Sequence, residues 1–337
     1  MNVAKRHIIL LLLLVAGLLA GCTNTPEPPQ PEAPDEICLN ADVQKVQKGA
    51  KASTISNASG LQGEYLRIDA YFHGTTANCI DNAKLKYITS AWKFVDGSDA
   101  ETHYYWPIEG SVHEASGETV GALDFVGYCP YDLTHTGVTL GTYSTGNPQM
   151  TCTLPMVSTT PEGEETTQAN LKEFLWAYTG NQTKSSNSGT VNMTFKHPFA
   201  RIRFQLSENH PDIVIKTITL KALKSGGTCS FDGSISTWSA LTPSEGTVDF
   251  VASPDQTCND NPASPVTIGT DYILVPQTFA GNIEVKAEWI DWGEMIEHTL
   301  TTKIDAVDWD PGTSYTYTFT ITETDLVVNT TKFTEQW

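Results

Sequence analysis

The stretch "VNMTFKHPFARIRFQLSE", residues 191–208, decides the fold. It contains two half-strands, one on each side of a His-Pro pair, whose apolar residues alternate in conflicting registers. Alternating apolar residues are typical of a strand with one buried face. Here they occupy odd positions before Pro198 and even positions after it. They are Val191, Met193 and Phe195, then Ala200, Ile202, Phe204 and Leu206. Because a one-residue slip turns every later side chain to the opposite face, the two halves do not form one regular strand.

A bulge is the local feature that best accounts for this change of register. Proline cannot donate to a neighbouring strand and is tolerated at edges and bulges. A bulge inserts the extra residue that exchanges the two faces. We therefore predict an irregularity at His197–Ala200, after which Arg201 and Arg203 point outward. The residues expected in the core on the other face are Ile202, Phe204 and Leu206.

Period-two alternation recurs along the rest of the chain, and no segment of useful length has a sustained helical period. Alternating segments include "YLRIDAYF" (65–72), "NIEVKAEW" (282–289) and "SYTYTFTIT" (314–322). Clusters of Gly, Pro, Asn and Asp separate them. Short strands between such clusters are typical of antiparallel β-sandwiches. The sequence therefore predicts an all-β protein.

Two domains are expected because roughly 300 residues exceed the size of a usual single core. The best candidate for a linker is the polar, Gly/Ser-rich stretch "TGNQTKSSNSG", Thr179–Gly189. We place an N-terminal β-sandwich at residues 37–180 and a C-terminal β-sandwich at residues 189–337.

The amino terminus has the form of a lipoprotein signal. Basic Lys5 and Arg6 precede an apolar run, Ile8–Ala20, which is too short to span a bilayer. The ending "LAGC" resembles the lipobox of bacterial lipoproteins, which implies a signal peptide at residues 1–21 and an acylated Cys22 that anchors the chain in lipid. An ordinary secretory signal is the alternative. Residues 22–36 are dense in Pro and Glu and predict an extended tether.

Charge and cysteine content limit the partners and the chemistry. The formal net charge is −19, and an acidic surface argues against nucleic acid as a partner. An even number of cysteines outside the cytoplasm permits three disulfides, whereas buried free thiols are the alternative. No C-x-x-C pair suggests a zinc or redox site. The six that follow Cys22 are Cys38, Cys79, Cys129, Cys152, Cys229 and Cys258.

The sequence contains no motif of a known catalytic class. G-x-S-x-G, P-loop, G-x-G-x-x-G and H-E-x-x-H patterns are all missing, and the histidines lack the spacing of metal ligands. We therefore predict no enzyme activity, no cofactor and no metal site. Aromatic residues could instead form an exposed shelf that stacks on sugars, or they could fill the sandwich cores. The candidates are Tyr104, Trp106, Trp289 and Trp292.

Several motifs, in their order along the chain, resemble the fimbrillin-like lipoproteins of Bacteroidales, the subunits and anchors of type V pili. The motifs, besides the lipobox, are "YYWP" (104–107), "LDFVGYCPYD" (123–132), "VNMTFKHPFARIRFQL" (191–206), "YILVPQT" (272–278), "WDPGTSYTYTFTI" (309–321) and Trp337. The resemblance implies two tandem transthyretin-like β-sandwiches without catalysis. It also implies that a protease cuts after Arg or Lys in the loop behind the first strand. The C-terminal strand of another subunit then fills the groove left open.

This chain departs from that pattern at the predicted cleavage loop. No Arg occurs between Cys22 and Arg67, so a protease specific for Arg finds no site before a predicted strand. This favours a lipid-retained anchor or an accessory subunit. The alternating residues of the first strand are Ile37, Leu39 and Ala41. The basic residues of the loop are Lys45, Lys48 and Lys51.

The tail "DLVVNTTKFTEQW" predicts a last strand that is either a donor to another subunit or part of its own domain. Its apolar residues are Leu326, Val328 and Phe333. The sequence as a whole predicts a non-enzymatic anchor, tip or accessory subunit of fimbriae at the outer-membrane surface. Its expected partners are other fimbrial subunits, membrane lipid through Cys22, and a host protein or glycan. The alternative is a monomeric surface lipoprotein of the same fold that binds a glycan or a host protein.

Overall fold

The computed structural model describes residues 35–44, 57–108, 110, 121–158, 167–207, 213–258, 265–291, 293–322 and 325–336. Glu36–Trp337 forms one compact unit, distinct from Met1–Asp35. The described chain is almost entirely β-structure, as the alternation predicted.

The strands follow one another in short runs that turns separate. In chain order they are β1 (Cys38–Val43), β2 (Leu66–Phe72), β3 (Asn78–Ile88), β4 (Ala91–Val95), β5 (Leu123–Cys129), β6 (Val138–Leu140), β7 (Gln149–Thr153), β8 (Leu175–Gln182), β9 (Thr190–Phe195), β10 (Ala200–Leu206), β11 (Ile213–Leu223), β12 (Gly226–Phe231), β13 (Ser236–Thr242), β14 (Val248–Ala252), β15 (Gln256–Cys258), β16 (Val266–Leu274), β17 (Thr278–Phe279), β18 (Asn282–Asp291), β19 (Glu294–Lys303), β20 (Val307–Asp308), β21 (Thr313–Ile321) and β22 (Leu326–Gln336). The helical elements are α1 (Ala58–Leu61) and two 3₁₀ turns, Gln168–Asn170 and Ser185–Asn187.

The N-terminal part of the compact unit is a sandwich with very unequal sheets. One sheet has five antiparallel strands in the order β4-β3-β2-β5-β8. The facing layer is the parallel pair β1–β9. A shared apolar cluster joins them, to which β1, β9 and the inner face of the larger sheet all contribute. The strand pair covers this core together with Leu61 of the short helix Ala58–Leu61 and Trp106, which lie in the same cluster.

The C-terminal part is a sandwich of two comparable sheets. One has the order β16-β10-β21-β22, and the other has the order β14-β11-β18-β19 with β15 also paired to β11. Side chains from both sheets meet in one large apolar cluster. The pairing of β10 with β21 is parallel, whereas the remaining pairs in these two sheets are antiparallel.

A third sheet ties the two parts together. It has the order β13-β12-β7-β6, in which β7 comes from the N-terminal part and β12 from the C-terminal part. Its apolar face packs in a third cluster against the outer face of the five-stranded sheet. Successive residues of β5 therefore serve different cores, with Phe125 in the N-terminal cluster and Val126 in the third. The short pair β17–β20 completes the fold.

The register conflict of residues 191–206 is the point where the chain passes from one core to the next. Strand β9 ends at Phe195, strand β10 begins at Ala200, and an irregular segment with Pro198 separates them. The odd-numbered apolar residues pack in the N-terminal cluster and the even-numbered ones in the C-terminal cluster. The predicted irregularity is present, but its cause is a change of core and not a bulge within one strand. Ile202, Phe204 and Leu206 are buried as predicted.

Arg201 lies on the face predicted for it but is not exposed to solvent. Its side chain is buried, with Nε donating to Ser314 Oγ at 2.7 Å and Nη1 lying 3.6 Å from Asp271 Oδ2. Arg203 is partly buried and donates twice to the same carboxylate, at 2.7 and 2.8 Å. Both side chains do turn away from the core cluster, but Asp271 on the adjacent β16 pairs them beneath the surface.

The proposed division into two sandwiches, at residues 37–180 and 189–337, remains a prediction. Strand β9 lies within the second of these ranges but packs in the N-terminal cluster, because its partner is β1. Thr179–Gln182 of the expected linker belongs to β8.

The six described cysteines are free thiols, so of the two alternatives left open by their number the structure has the one without disulfides.

Candidate functional site

The candidate site is the slot that β1 occupies in the N-terminal sandwich. The side chains of its inward face are nearly inaccessible, as the alternation predicted. Their exposed fractions are 1% for Ile37, 6% for Leu39, 6% for Ala41 and 1% for Val43. Across the pair, β9 contributes Val191, Met193 and Phe195 to the same cluster. Burial of such side chains stabilises a fold by about 1.5–3 kcal/mol each, so β1 fills a substantial part of this core.

One edge of β1 is held by a regular ladder. It runs parallel to β9 in a register that sets Cys38 opposite Thr190 and Val43 opposite Phe195. The N–H of Cys38 donates to the carbonyl of Gly189 at 3.1 Å, and the N–H of Gln44 donates to the carbonyl of Phe195 at 3.0 Å. This edge supplies all the strand pairing of β1 in the part of the chain that the structure describes.

Three hydrogen bonds from outside the β1–β9 ladder are made along the other edge of β1 and of the residue before it. The N–H of Ile37 donates to the carbonyl of Tyr104 at 2.7 Å. The indole Nε1 of Trp92 donates to the carbonyl of Ala41 at 3.1 Å, in a buried contact. The N–H of Val43 donates to Asp42 Oδ1 at 2.8 Å. Side chains that cap an edge in this way protect it against pairing with foreign strands.

A cavity of about 310 Å³ lies beside this capped edge. Its lining includes Leu39 and Ala41 of β1, Trp92 of β4, and Tyr87 at the end of β3. The ring of Trp92 packs edge-on against Tyr87 with centroids 5.3 Å apart, which fixes the direction of the indole N–H. Trp92 thus holds β1 through a backbone carbonyl, a contact that does not depend on which side chains the strand carries.

The exposed face of the β1–β9 pair carries one side-chain contact across the strands. Asn40 and Asn192 lie directly opposite each other. Nδ2 of Asn40 donates to Oδ1 of Asn192 at 3.2 Å. Because cross-strand partners are favourable only in one alignment, this bond helps to fix the register of the pair.

The predicted lipidation and cleavage residues lie outside the described part of the chain. These are Cys22, Lys45, Lys48 and Lys51. Their neighbours are described, however: β1 ends at Val43 and α1 begins at Ala58. The three lysines therefore fall in the connection that leaves β1, the place where a cut would separate this strand from the rest of the sandwich.

The predicted terminal strand is present as β22, the edge strand of its own sheet. It pairs antiparallel with β21, with Leu326 opposite Ile321 and Phe333 opposite Ser314. Leu326 is buried, Val328 is only partly buried, and Val327 is 49% exposed. The side chain of Phe333 lies outside the described residues. Lys332 forms an ion pair with Asp310, whose hydrogen bond raises the pKa of Lys332.

The aromatic candidates do not form an exposed shelf. Trp106 is 9% exposed and Trp289 is 3% exposed. Tyr104 is half-buried against Phe94, with ring centroids 4.7 Å apart, and burial raises the pKa of its hydroxyl. Trp292 lies outside the described residues. The described rings therefore serve packing, which leaves no stacking surface for a sugar at these positions.

The described ranges contain neither a cluster of metal-binding side chains nor a membrane-spanning helix. No three His, Cys, Asp or Glu side chains there lie close enough to hold a metal ion. None of the helices described has the length and apolar character needed to cross a bilayer.

Two parts of the slot were not anticipated from the sequence. The first is β9 as the strand that pairs with β1, although the parity switch at Pro198 marked the end of one core. The second is the hydrogen bond of Trp92 to β1, which joins residues 51 positions apart and has no local signal.

Comparisons with known proteins agree with this architecture. A sequence model described as fimbrillin-like matches residues 67–337. The fold is similar to that of a fimbrial protein from Bacteroides vulgatus ATCC 8482, with a TM-score of 0.59 and 15% identity over 89% of this chain and 99% of that chain. It is also similar to a proposed cell adhesion protein from Bacteroides ovatus ATCC 8483, with a TM-score of 0.50 and 14% identity over 90% and 98% of the two chains. No curated protein matches the sequence.

Proposed function

The chain belongs to the fimbrillin-like family, and we propose that it is a non-enzymatic structural subunit of cell-surface fimbriae that assembles by strand donation. In this mechanism β1 is a temporary plug. Its release exposes an apolar groove and unpaired backbone groups, and a strand from another subunit then supplies both the missing side chains and the missing hydrogen bonds. The partners are therefore other fimbrial subunits.

The observation that carries the proposal is the combination of deep burial and one-sided pairing in β1. Three of its side chains and that of Ile37, the residue before it, are at most 6% exposed, yet its strand pairing is confined to β9. A strand of this kind leaves a well-formed slot behind, since β9 and the five-stranded sheet keep each other in contact without it. Lys45, Lys48 and Lys51 follow β1 in the sequence and are the residue type after which a trypsin-like protease cuts.

We further propose that the chain is an anchor, tip or accessory subunit held in the outer membrane by acylated Cys22. The absence of Arg between Cys22 and Arg67 supports this role, because an Arg-specific protease leaves both β1 and Cys22 joined to the body. In such an uncut chain β1 stays in its slot, and the chain takes part in strand donation as a donor. Its own slot opens only after a cut behind Lys45, Lys48 or Lys51. The tether at residues 22–36 would hold the folded body away from the lipid surface.

Limited proteolysis tests strand donation. Protein that begins at Glu36 is treated briefly with trypsin, and the products are separated in SDS without boiling. Ladders of SDS-resistant oligomers are expected after cleavage, because a donated strand is held by a full ladder and a filled core. A matched variant with Lys45, Lys48 and Lys51 all changed to Gln should stay monomeric. If the clipped protein with its lysines intact also stays monomeric, strand donation is wrong.

An intact mass measurement on protein from the native envelope tests the anchor role. A mass that includes acylated Cys22 is expected. A new amino terminus after Lys45, Lys48 or Lys51 would instead identify a processed, polymerising subunit.

A further inference from the structure

The third sheet, β13-β12-β7-β6, has one apolar face and one face that carries hydroxyl groups. Its apolar face packs in the third cluster through side chains such as Met150 and Phe231. On the other face, one hydroxyl residue of each strand lies directly opposite that of the next strand, so a central row of hydroxyls crosses the whole sheet. The members of this row, from β6 to β13, are Thr139, Thr151, Thr228 and Ser239.

The two neighbouring rows on this side of the sheet are uncharged as well. They consist of Gln149, Ser230 and Thr237 in one row, and Thr153, Gly226 and Thr242 in the other. Gly226 leaves room for the hydroxyl of Thr242, because a Cβ at position 226 would lie 2.7 Å from Oγ1 of Thr242. We call the surface made by these three rows the hydroxyl face.

The hydroxyl face differs from another exposed sheet face of the same chain because it carries no charge. None of its four strands contains Asp, Glu, Lys, Arg or His, although 18% of the whole chain is Asp, Glu, Lys or Arg. The outer face of the sheet β14-β11-β18-β19, by contrast, carries the ion pairs Lys221–Glu284 and Lys286–Glu297. Exposure to water alone therefore does not account for a face without charges.

The hydroxyl groups of the central row are available to a ligand. Thr139, Thr151 and Ser239 are exposed, and Thr228 is partly buried. Within the part of the chain that the structure describes, none of these hydroxyls is hydrogen-bonded to another protein group. A hydroxyl donates one hydrogen bond and accepts two, so the row offers both donors and acceptors to a bound molecule.

A cavity of about 510 Å³ lies on the hydroxyl face. This volume falls within the range of about 300–1,000 Å³ that is typical of small-molecule sites. Leu133 and His135, in the loop before β6, and Ala240 of β13 contribute to its lining. The threonines of the face that line it are Thr139, Thr151, Thr153, Thr228 and Thr242. Because this surface is concave, two copies that met here would leave many of the hydroxyls without partners, which argues against a contact between identical faces.

We propose that the hydroxyl face binds a neutral carbohydrate chain that crosses the strands along the central row. Adjacent strands lie about 4.8 Å apart, which is close to the length of one pyranose unit, so each strand can contact one sugar. Sugar hydroxyls donate and accept hydrogen bonds as the threonine hydroxyls do. The C–H groups of a sugar ring pack in the same way against the threonine methyl groups. Both kinds of contact are therefore repeated from strand to strand.

Other classes of ligand fit the hydroxyl face less well. A charged sugar or peptide would find no opposite charge in the four strands. The formal net charge of −19 also repels anions. An apolar ligand would remove water from the hydroxyls without replacing their hydrogen bonds. A neutral molecule that is rich in hydroxyls avoids both penalties.

Affinity electrophoresis in native gels tests the class of ligand. Uncut protein that begins at Glu36 is run in gels that contain galactomannan, mixed-linkage β-glucan, dextran or amylopectin, which are neutral, or polygalacturonate, which is anionic. We expect at least one neutral polysaccharide to slow the protein, and polygalacturonate not to slow it. If none of the neutral polysaccharides slows the protein, or if polygalacturonate slows it equally, the proposal is wrong.

Paired substitutions of threonine by valine test the position of the site. Thr151→Val with Thr153→Val removes two hydroxyls from the cavity and keeps the β-branched shape that suits a strand. Thr299→Val with Thr301→Val, at two exposed positions of β19, is the matched control. From the mobility at increasing polysaccharide concentration, we expect Kd to rise at least tenfold for the first pair and to stay unchanged for the control.

A further variant guards against a folding defect in the first pair. Thr228→Val, on the neighbouring strand, should raise Kd in the same direction, and urea unfolding of each variant shows whether it remains folded. An equal change of Kd in the cavity variants and the control, or no change in any of them, would place binding elsewhere and overturn the proposal.

Gel filtration of the natural chain separates a carbohydrate site from a contact between copies. A monomer is expected. A dimer that Thr151→Val with Thr153→Val dissociates would show that a second copy covers the hydroxyl face, and the proposal would be wrong. Because uncut protein keeps β1 in its slot, none of these results depends on strand donation.

Discussion

The first and the last strand of the compact unit occupy similar positions but differ in what they bury. Both β1 and β22 lie at an edge and pair with one neighbouring strand. In β1, three inward side chains, and Ile37 just before the strand, are at most 6% exposed, and the indole of Trp92 bonds to the edge that faces away from β9. In β22, Leu326 is buried, Val328 is partly buried, and Lys332 forms an exposed ion pair.

This difference indicates what each strand can do. Removal of β1 takes away part of a core and leaves a shaped slot, so its place must be refilled. Of the described side chains of β22, Leu326 lies in the C-terminal cluster and Val328 packs against it. The other strands of the two C-terminal sheets supply most of that cluster. A strand that buries few side chains is suited to be a donor, because little burial is lost when it leaves its sheet. A slot that loses much burial when it is empty is suited to be an acceptor. Four measurements can break or sharpen this comparison.

The largest effect is expected for Leu39→Ala in β1. Loss of a buried leucine side chain costs the transfer free energy and leaves a cavity, in total about 2–5 kcal/mol. Val327→Ala, on the exposed face of β22, should change the free energy of unfolding by less than about 0.5 kcal/mol. Urea unfolding of both variants measures the contrast. Equal effects would remove the distinction between the two strands.

A smaller effect is expected for Gly127→Ala, which tests how tightly β9 closes the slot. A Cβ at position 127 would lie 2.7 Å from Cζ of Phe195 and 3.1 Å from Cε of Met193. Overpacking of this kind typically costs about 1–3 kcal/mol. Gly97→Ala is the matched control, because a Cβ there meets nothing within 4 Å. A neutral Gly127→Ala would mean that β9 can move away from the five-stranded sheet.

Trp92→Phe should reduce the free energy that stabilises β1 in its slot by about 1 kcal/mol, the usual net contribution of one hydrogen bond. Phe keeps an aromatic ring but loses part of the indole volume, together with the N–H that donates to the carbonyl of Ala41. We expect faster tryptic cleavage behind β1, followed by gel electrophoresis over time. Trp238→Phe, which loses an indole hydrogen bond to Pro198, serves as control and should not change that rate.

The smallest effect concerns the pH dependence of β22. The hydrogen bond that Lys332 donates to the carboxylate of Asp310 raises the pKa of Lys332. When the pKa of a lysine is higher in the folded state, the full stabilisation is present at pH values below its pKa in the unfolded state, about 10.4. This stabilisation is lost as the pH rises through the pKa of the folded state. For an exposed pair it amounts to less than about 1 kcal/mol.

Urea midpoints of the natural chain and of Lys332→Met should therefore differ at pH 8 and converge at strongly alkaline pH. In an Asp310→Asn background, Lys332→Met should have no effect at either pH. A difference that persists in that background would assign the stabilisation to the lysine stem.

Much of the secondary structure followed from local pattern. Alternation placed β2, β18 and β21, and it also gave the inward residues of β1 and β22. The parity change around Pro198 correctly indicated that residues 191–206 are not one strand. Such features depend on side chains two residues apart, so they are legible in a single sequence.

Which strands pair with one another could not be predicted from the sequence. Parity alone did not show that β9 returns to β1 across more than 140 residues, or that β7 and β12 share a sheet. The burial of Arg201 was also hidden, because the compensating Asp271 lies on a strand distant in sequence. These outcomes depend on long-range pairing and on charges that meet only after the chain folds.

The sequence by itself determined which apolar and polar residues alternate, where strands are interrupted, and that no catalytic motif is present. Each of these is a property of residues that are close together in the sequence. Only the tertiary structure decided that β1 is a buried strand with one ladder edge, bonded by Trp92 on its other edge and by Asn192 across the pair. The physical reason is that a slot consists of contacts between segments far apart in the chain, and their geometry exists only when the sheets have packed.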